Sequence, residues 1–274
     1  YFKMLKRIFN KFLSFGDLEI TSREELKFFR NLDCAALLYN ELNQDLRELI
    51  TPYLPYSKSQ LAQDLFAIAF SKNKDSNFFV EFGATDGVNL SNTWLLENKL
   101  GWDGILAEPA KIWHQNLESN RNCNIDKGCV AKESGLTYSF LEVKDDSYLS
   151  SPSISSLEKF ANNGDWASKL RKNNSIKYEV ETISLEDLLK KYNAPKEIEF
   201  LSIDTEGSEL EILKGYNFSN RKINKICVEH NYVKKHRKLL NKLLLEKGYI
   251  QVFDKVSKFD DWYILKQEYE KFQN

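Results

Sequence analysis

The sequence predicts a doubly wound α/β domain preceded by a helical segment. Three observations carry this prediction. Apolar, strand-length runs alternate with helical patterns from residue 78 onward, the first run ends in a glycine turn, and the last two runs stand too close for a crossover helix. Strands separated by helices pair in parallel through right-handed crossovers. Residues 78–82, 104–108, 198–204 and 224–229 should therefore lie in parallel, with their C-terminal ends on one edge. The closing runs, YIQVF and WYILK, are expected as antiparallel neighbours.

Residues 1–76 read as a helical extension and 77–274 as the α/β domain, with an insertion around 144–174. At the start, Leu5, Ile8, Phe9, Phe12 and Phe15 form one helical stripe, with Lys3, Lys6, Arg7 and Lys11 mostly elsewhere. Such a helix suits docking on its own domain, on a second subunit, or on an anionic membrane surface through residues 4–15. The run EELKFFRNLDCAALLYNELNQDLRELI is helical and is punctuated by Thr51-Pro52. Ser59 is the expected cap of a second helix, SQLAQDLFAIAF. After the strand 78–82 come a helix near 91–100, a strand with a helix start at 104–109, a third strand at 127–131 and a fourth candidate at 137–143. The stretch 144–174 is polar and serine-rich, then basic, and reads as a mobile cover over one end of the sheet. YEVETI is extended, and Ser184 stands at capping distance from Asp187. Strand-helix pairs follow in EIEFLSID with SELEILKGY, and in KINKICVEHN with 233–247.

With 39 basic and 40 acidic residues the chain lacks the cationic excess that duplex nucleic acid demands. Its four cysteines form no CxxC pair and read as buried reduced thiols. No apolar run approaches the roughly 18–20 residues that cross a bilayer. A cytoplasmic protein is expected, with peripheral membrane contact left open.

The most informative stretch is VEFGATDG, 80–87. A strand ending in Gly83, with Gly87 four positions on, allows a ligand close to the backbone where the first parallel strand opens into the binding crevice. The spacing is not the G-x-G-x-x-G that holds a pyrophosphate. With Glu81 and Asp86 beside it, the turn suits a nucleoside carrying positive charge rather than a dinucleotide. Glu108, ending the next strand, is placed to accept both ribose hydroxyls.

FVEFGATDGVNLSNTWLLENKLGWDGILAEPAKIW, IEFLSIDTEGSELEILKGYNF and CVEHN resemble the FkbM-type methyltransferases, and the likeness extends over about 56–266. It implies a seven-stranded methyltransferase sheet, S-adenosylmethionine as cofactor and, for many relatives, O-methylation of sugars or natural-product hydroxyls. It further implies a methionine-side loop of Glu81, Gly83, Ala84, Asp86 and Gly87, with Ser91 and Asn92 nearby and Glu108 on the ribose. Glu81 stands where many relatives carry Asp. The acceptor implied is a sugar, glycan or other hydroxylated small molecule, and oligomerisation is left open. A non-catalytic nucleoside-binding or scaffold protein on the same fold is the alternative.

A second acidic group, Asp204, Glu206 and Glu209, ends a central strand, and Glu229, His230 and Asn231 end the next. Oxygen methylation needs somewhere for the hydroxyl proton. His230 is the expected base, with Asp204 cooperating and Glu206 orienting. Asp204, Glu229 and Asn231 also permit a divalent cation without requiring one. The basic runs KLRKNNSIK and VKKHRKLLNK read mainly as solvated faces; at the mouth of a site they would favour an anionic saccharide. Trp102, Trp113 and Trp166 are candidates for stacking on sugar or for core packing.

Overall fold

The computed structural model describes residues 33–71, 77–144 and 152–272. The apolar stripe at 4–15 and residues 145–151 of the expected insertion lie outside them. The strands are β1 (Phe78–Phe82), β2 (Asp103–Ala107), β3 (Asn124–Asp126), β4 (Cys129–Ala131), β5 (Thr137–Val143), β6 (Ser156–Leu157), β7 (Ser175–Ser184), β8 (Glu197–Ile203), β9 (Lys222–Glu229), β10 (Tyr249–Val252) and β11 (Asp260–Leu265). Helices are α1 (Gln44–Ile50), α2 (Gln63–Ala69), α3 (Trp94–Leu100), α4 (His114–Asn120), α5 (Ser168–Asn173), α6 (Leu185–Lys191), α7 (Glu209–Gly215) and α8 (Lys234–Glu246). Residues 33–41 are also helical.

Seven strands form the main sheet in the order β10-β11-β9-β8-β1-β2-β3. β1 pairs in parallel with β2 and β8, β8 with β9, and β2 with β3, while β11 runs antiparallel to β9 and β10. The expected parallel set and the antiparallel close are both present. Alternation along the strands feeds two cores. Phe79, Leu106 and Phe200 face a layer containing Leu38, Ile50, Phe66 and Leu95, whereas Val80, Phe82, Ile105 and Leu201 face Leu188, Leu213, Leu240 and Leu244. Helices thus cover both faces.

The helical segment before β1 belongs to the first of these layers. Every residue of α2 is buried, and Phe66 stacks on Trp262 of β11 at 4.9 Å. Full burial of one such side chain contributes about 1.5–3 kcal/mol, so a boundary at 76/77 separates no independent core. Ser59 is not the cap of α2. The cap position is Ala62, in a left-handed conformation, and Ser59 Oγ instead donates to Asp64 at 2.5 Å. Ser184 caps α6 as its spacing predicts, accepting from the Asp187 backbone at 3.1 Å.

The third strand needs correction. Main-sheet β3 lies at Asn124–Asp126, and Cys129–Ala131 turns away to join a second sheet, β4-β7-β5-β6. That sheet rests on a long antiparallel β5–β7 pair running from Thr137↔Glu181 to Val143↔Ser175. The insertion is therefore the tip of a hairpin. Its described part is packed: Ile154 and Ala167 are buried with Val143, and Leu170 closes against them. All four cysteines are free, and no described helix is long and apolar enough to cross a membrane.

Candidate functional site

The C-terminal ends of β1, β8 and β9 open on a cavity of about 520 Å³ lined by Glu81, Gly83, Asn92, Asp204, Glu206 and Glu229, among others. A second pocket of about 40 Å³ shares Phe82, Gly83, Ser153, Asp204 and Glu206 with it. This smaller space is bounded by Ala107, Glu108, Pro109, Cys129, Val130, Phe140 and Leu157. A largely apolar slot ending in Glu108 thus adjoins a larger, acid-lined chamber, with Asp204 and Glu206 lining both.

Glu108 is buried just beyond β2. One oxygen accepts from the Thr85 backbone N–H at 2.9 Å and the other from Ala110 N–H at 2.8 Å. Each oxygen keeps a further lone pair for a ligand hydroxyl. Burial, with Asp204 and Glu142 adding like charge, pushes its pKa up to about 7 against the two N–H donors.

Gly83 has φ +75°, and a Cβ there would lie 2.0 Å from the Asp204 carbonyl oxygen. The glycine is thus required where β1 leaves the sheet against β8, a packing demand in addition to any ligand approach. Gly87, at φ +80°, would meet Leu117 and Arg121.

Around this loop the structure redistributes the expected roles. Glu81 reaches the chamber wall, but its carboxylate already accepts from Ser91 Oγ at 3.0 Å, Asn92 N–H at 2.7 Å and Thr93 Oγ1 at 2.5 Å. Arg121, from the end of α4, lies 3.9 Å from Glu81, pairs with Glu97 and donates to the Gly87 carbonyl at 3.0 Å. Asp86 does not line either space. It folds back on its own turn, accepting from the Val88 and Asn89 backbones at 2.9 and 2.8 Å. Ala84 is core and Ser91 is spent on the Glu81–Arg121 network, so neither lines the cavities, nor does Gly87. Asn92 does, donating to Ser202 Oγ at 2.8 Å and leaving its buried Oδ1 without a partner.

At the β8 and β9 ends, carboxylate oxygens of Asp204, Glu206 and Glu229 lie within 4.8 Å of one another. This spacing admits a cation and does not by itself require one. Burial raises Asp204 to about 7 against a hydrogen bond with Glu229, and burial with the charge of Asp204 holds Glu206 and Glu229 well above the usual carboxylate range. Like charges so close disfavour full ionisation. Glu206, itself at φ +57°, is paired with Arg171 of α5 and accepts from Asn231 Nδ2 at 3.0 Å. Glu209 is structural: Oε1 accepts from Thr205 N–H at 3.0 Å and Gly207 N–H at 2.9 Å, fixing the turn.

His230 departs from its expected role. Its Nδ1 accepts from the Tyr232 backbone at 3.1 Å, and Nε2 donates to the Asp260 carbonyl at 3.1 Å, which fixes the neutral tautomer. The ring lines a separate pocket of about 50 Å³ rather than the main chamber. Burial lowers its pKa, so the protein holds it neutral with both nitrogens engaged, and it is not placed as the general base.

Two arginines escaped the sequence reading. Arg171 hides inside the basic run KLRKN yet is fully buried, donating to Asp165 at 2.7 Å and to the Ile154 carbonyl at 2.6 Å. Arg121 carried no local pattern. Partners far off in sequence, Glu81 and Glu97 for Arg121 and Glu206 for Arg171, give each burial its reason.

The methyltransferase FkbM domain matches residues 81–251, more than half of the chain and all of the lining just described apart from Gln60, Gln63, Lys258 and Phe259. The chain belongs to the FkbM methyltransferase family. In this FkbM-family chain the matched span runs from the end of β1 through most of β10, leaving β11 outside, and so takes in most of the cavity-bearing sheet. No curated protein matches the chain.

Proposed function

We propose that this FkbM-family protein transfers the methyl group of S-adenosylmethionine to a hydroxyl of a sugar or glycan. The observation that carries the reading is the continuity of an apolar slot ending in Glu108 with an acidic chamber, across Gly83. A flat base fits between Ala107, Pro109, Val130, Phe140 and Leu157 once the slot widens, and Glu108 accepts from the ribose hydroxyls. The methionine end, cationic at its amine and sulfonium, meets the carboxylate-rich wall of Glu81 and Asp204. When bound, the donor supplies a methyl whose C–S bond breaks as the acceptor oxygen forms its C–O bond, leaving S-adenosylhomocysteine.

The chain's own work is alignment and proton handling. Asp204 lines both spaces and, with a pKa near 7, is matched to receive the hydroxyl proton at neutral pH. Glu229 stands beside it, and Glu206, clamped by Arg171 and Asn231, orients the acceptor. The test is S-adenosylhomocysteine release and product mass after incubating the protein with S-adenosylmethionine and a panel of saccharides. Methylated sugar, formed equally with and without EDTA and lost in Asp204→Asn, is the expected result. Turnover abolished by EDTA and restored by magnesium would transfer the hydroxyl-activating role from Asp204 to a cation held by the same carboxylates. Cofactor binding without turnover on any acceptor would favour a non-catalytic nucleoside-binding protein instead.

A further inference from the structure

We infer that Trp166 and Tyr232 form the acceptor subsite, a pair of aromatic faces at the chamber mouth that selects an uncharged pyranose. The inference rests on the methyltransferase reading of the chamber and adds the class of sugar and the residues that choose it.

Of the three tryptophans that qualified as sugar platforms on sequence, Trp102 is core and Trp113 packs half-buried on the small sheet. Trp166 is 70% exposed, and Tyr232 is 64% exposed. Both line the 520 Å³ chamber, and no other strongly exposed large apolar side chain among the described residues does. Large aromatic rings left in water at the rim of a polar cavity mark a binding surface rather than a packing remainder.

Each ring is presented by a fixed backbone. Asp165 accepts from the Ala167 N–H at 2.9 Å and from Ser168 Oγ at 3.0 Å, and is itself tied to buried Arg171, so the chain is pinned around Trp166 while its ring stays free. Tyr232 follows Asn231 in a turn where both residues have left-handed φ, +59° and +47°. Two adjacent non-glycine residues in that region are costly and persist only where surrounding contacts impose them. Those contacts are the Tyr232 N–H to His230 Nδ1 and the Val233 N–H to the His230 carbonyl at 2.8 Å. The Tyr232 ring is braced edge-on by His230 at 6.0 Å and Phe259 at 6.3 Å. His230 is thus a positioning residue for the rim.

The charge of the wall sets the sugar class. Glu81, Asp204, Glu206 and Glu229 face the chamber, and among the described residues its one lining cation is Lys258, which pairs with Asp33 at 3.5 Å. The basic runs that would have favoured an anionic saccharide do not line it. Even partly ionised, this wall disfavours a carboxylate or phosphate on the acceptor, whereas Gln60 and Asn231 offer amides to neutral hydroxyls.

The experiment uses the full chain with ¹⁵N-labelled tryptophan, the Trp166 indole signal being assigned by its loss in Trp166→Phe. Methyl pyranosides of glucose, galactose, mannose, rhamnose and N-acetylglucosamine are titrated with and without S-adenosylhomocysteine, and methyl glucuronide serves as the acidic control. At least one neutral glycoside should shift the Trp166 signal, more strongly than the glucuronide. Trp166→Ala and Tyr232→Ala should each weaken that binding tenfold or more, Trp166→Phe and Tyr232→Phe should largely retain it, and S-adenosylhomocysteine affinity should stay within twofold. No shift with any neutral glycoside, unchanged affinity in both alanine variants, or tightest binding of the glucuronide would overturn the inference. Failure of S-adenosylhomocysteine to bind would sink the methyltransferase reading separately, because the cofactor-free titration still decides the subsite.

Discussion

Replacing Arg171 with Leu should destabilise the protein by about 3–5 kcal/mol, the usual consequence of removing one partner from a buried ion pair. The structure explains why the loss falls in that range. The guanidinium is fully buried and serves two carboxylates, Asp165, also fully buried, and Glu206, only 10% exposed at its side chain. Its removal also strands the Ile154 carbonyl, 2.6 Å from Nε. At about 2–4 °C per kcal/mol for a chain of this size, the midpoint of thermal unfolding should fall by about 6–20 °C. Because the orphaned carboxylates can be neutralised by protons, the deficit should be larger at pH 8 than at pH 5. Adding Glu206→Gln to Arg171→Leu should recover part of it. The assay is thermal and urea unfolding at both pH values, with hydrogen exchange over 152–173. A variant whose midpoint stays within about 2 °C of the parent at pH 8 would refute the view that Arg171 holds the insertion on the acidic cluster.

Two further outcomes follow from the site. His230→Asn should lower stability by about 1–3 kcal/mol through lost buried hydrogen bonds. The same change should cost turnover far less than the roughly 10²-fold that loss of a general base entails, whereas Asp204→Asn should lose that much or more; single-turnover methyl transfer distinguishes them. The pH dependence has a definite sign. Glu108 and Asp204 both rise to about 7 from ordinary values of 4.5 and 3.8, so the native state holds more protons than the unfolded state between about pH 4 and 7. Their contribution to stability is therefore full below that window and lost as pH rises through it. Ribose hydroxyls favour the ionised Glu108, so affinity for S-adenosylhomocysteine should rise from pH 6 to 8; a flat calorimetric profile would contradict the assignment.

Much of this architecture was legible in the sequence because burial on two faces leaves mostly apolar runs, as in FFVEF and IEFLSI, and parallel topology follows from the helices between them. The small sheet was not, since TYSFLEV and SIKYEVETIS are half-exposed strands whose partners lie across the insertion. Glycine turn, Glu108 and the Asp204–Glu206–Glu229 group were readable as strand-end chemistry. What sequence could not assign was the spending of each polar group. Asp86 and His230 are chemically apt, yet local backbone hydrogen bonds consume both. Arg171 looks solvated in a basic run, and only the tertiary return of the hairpin tip onto β8 buries it.

The most direct test of the account is calorimetric binding of S-adenosylhomocysteine to the parent protein and to Glu108→Ala at pH 8. The parent should bind saturably at one to one. Affinity should be weaker by about 1.5–3 kcal/mol in the variant, the value of hydrogen bonds to a charged acceptor, with the fold unchanged by circular dichroism. No binding to the parent, or equal affinity in a folded Glu108→Ala, would contradict the placement of the methyl donor across Gly83.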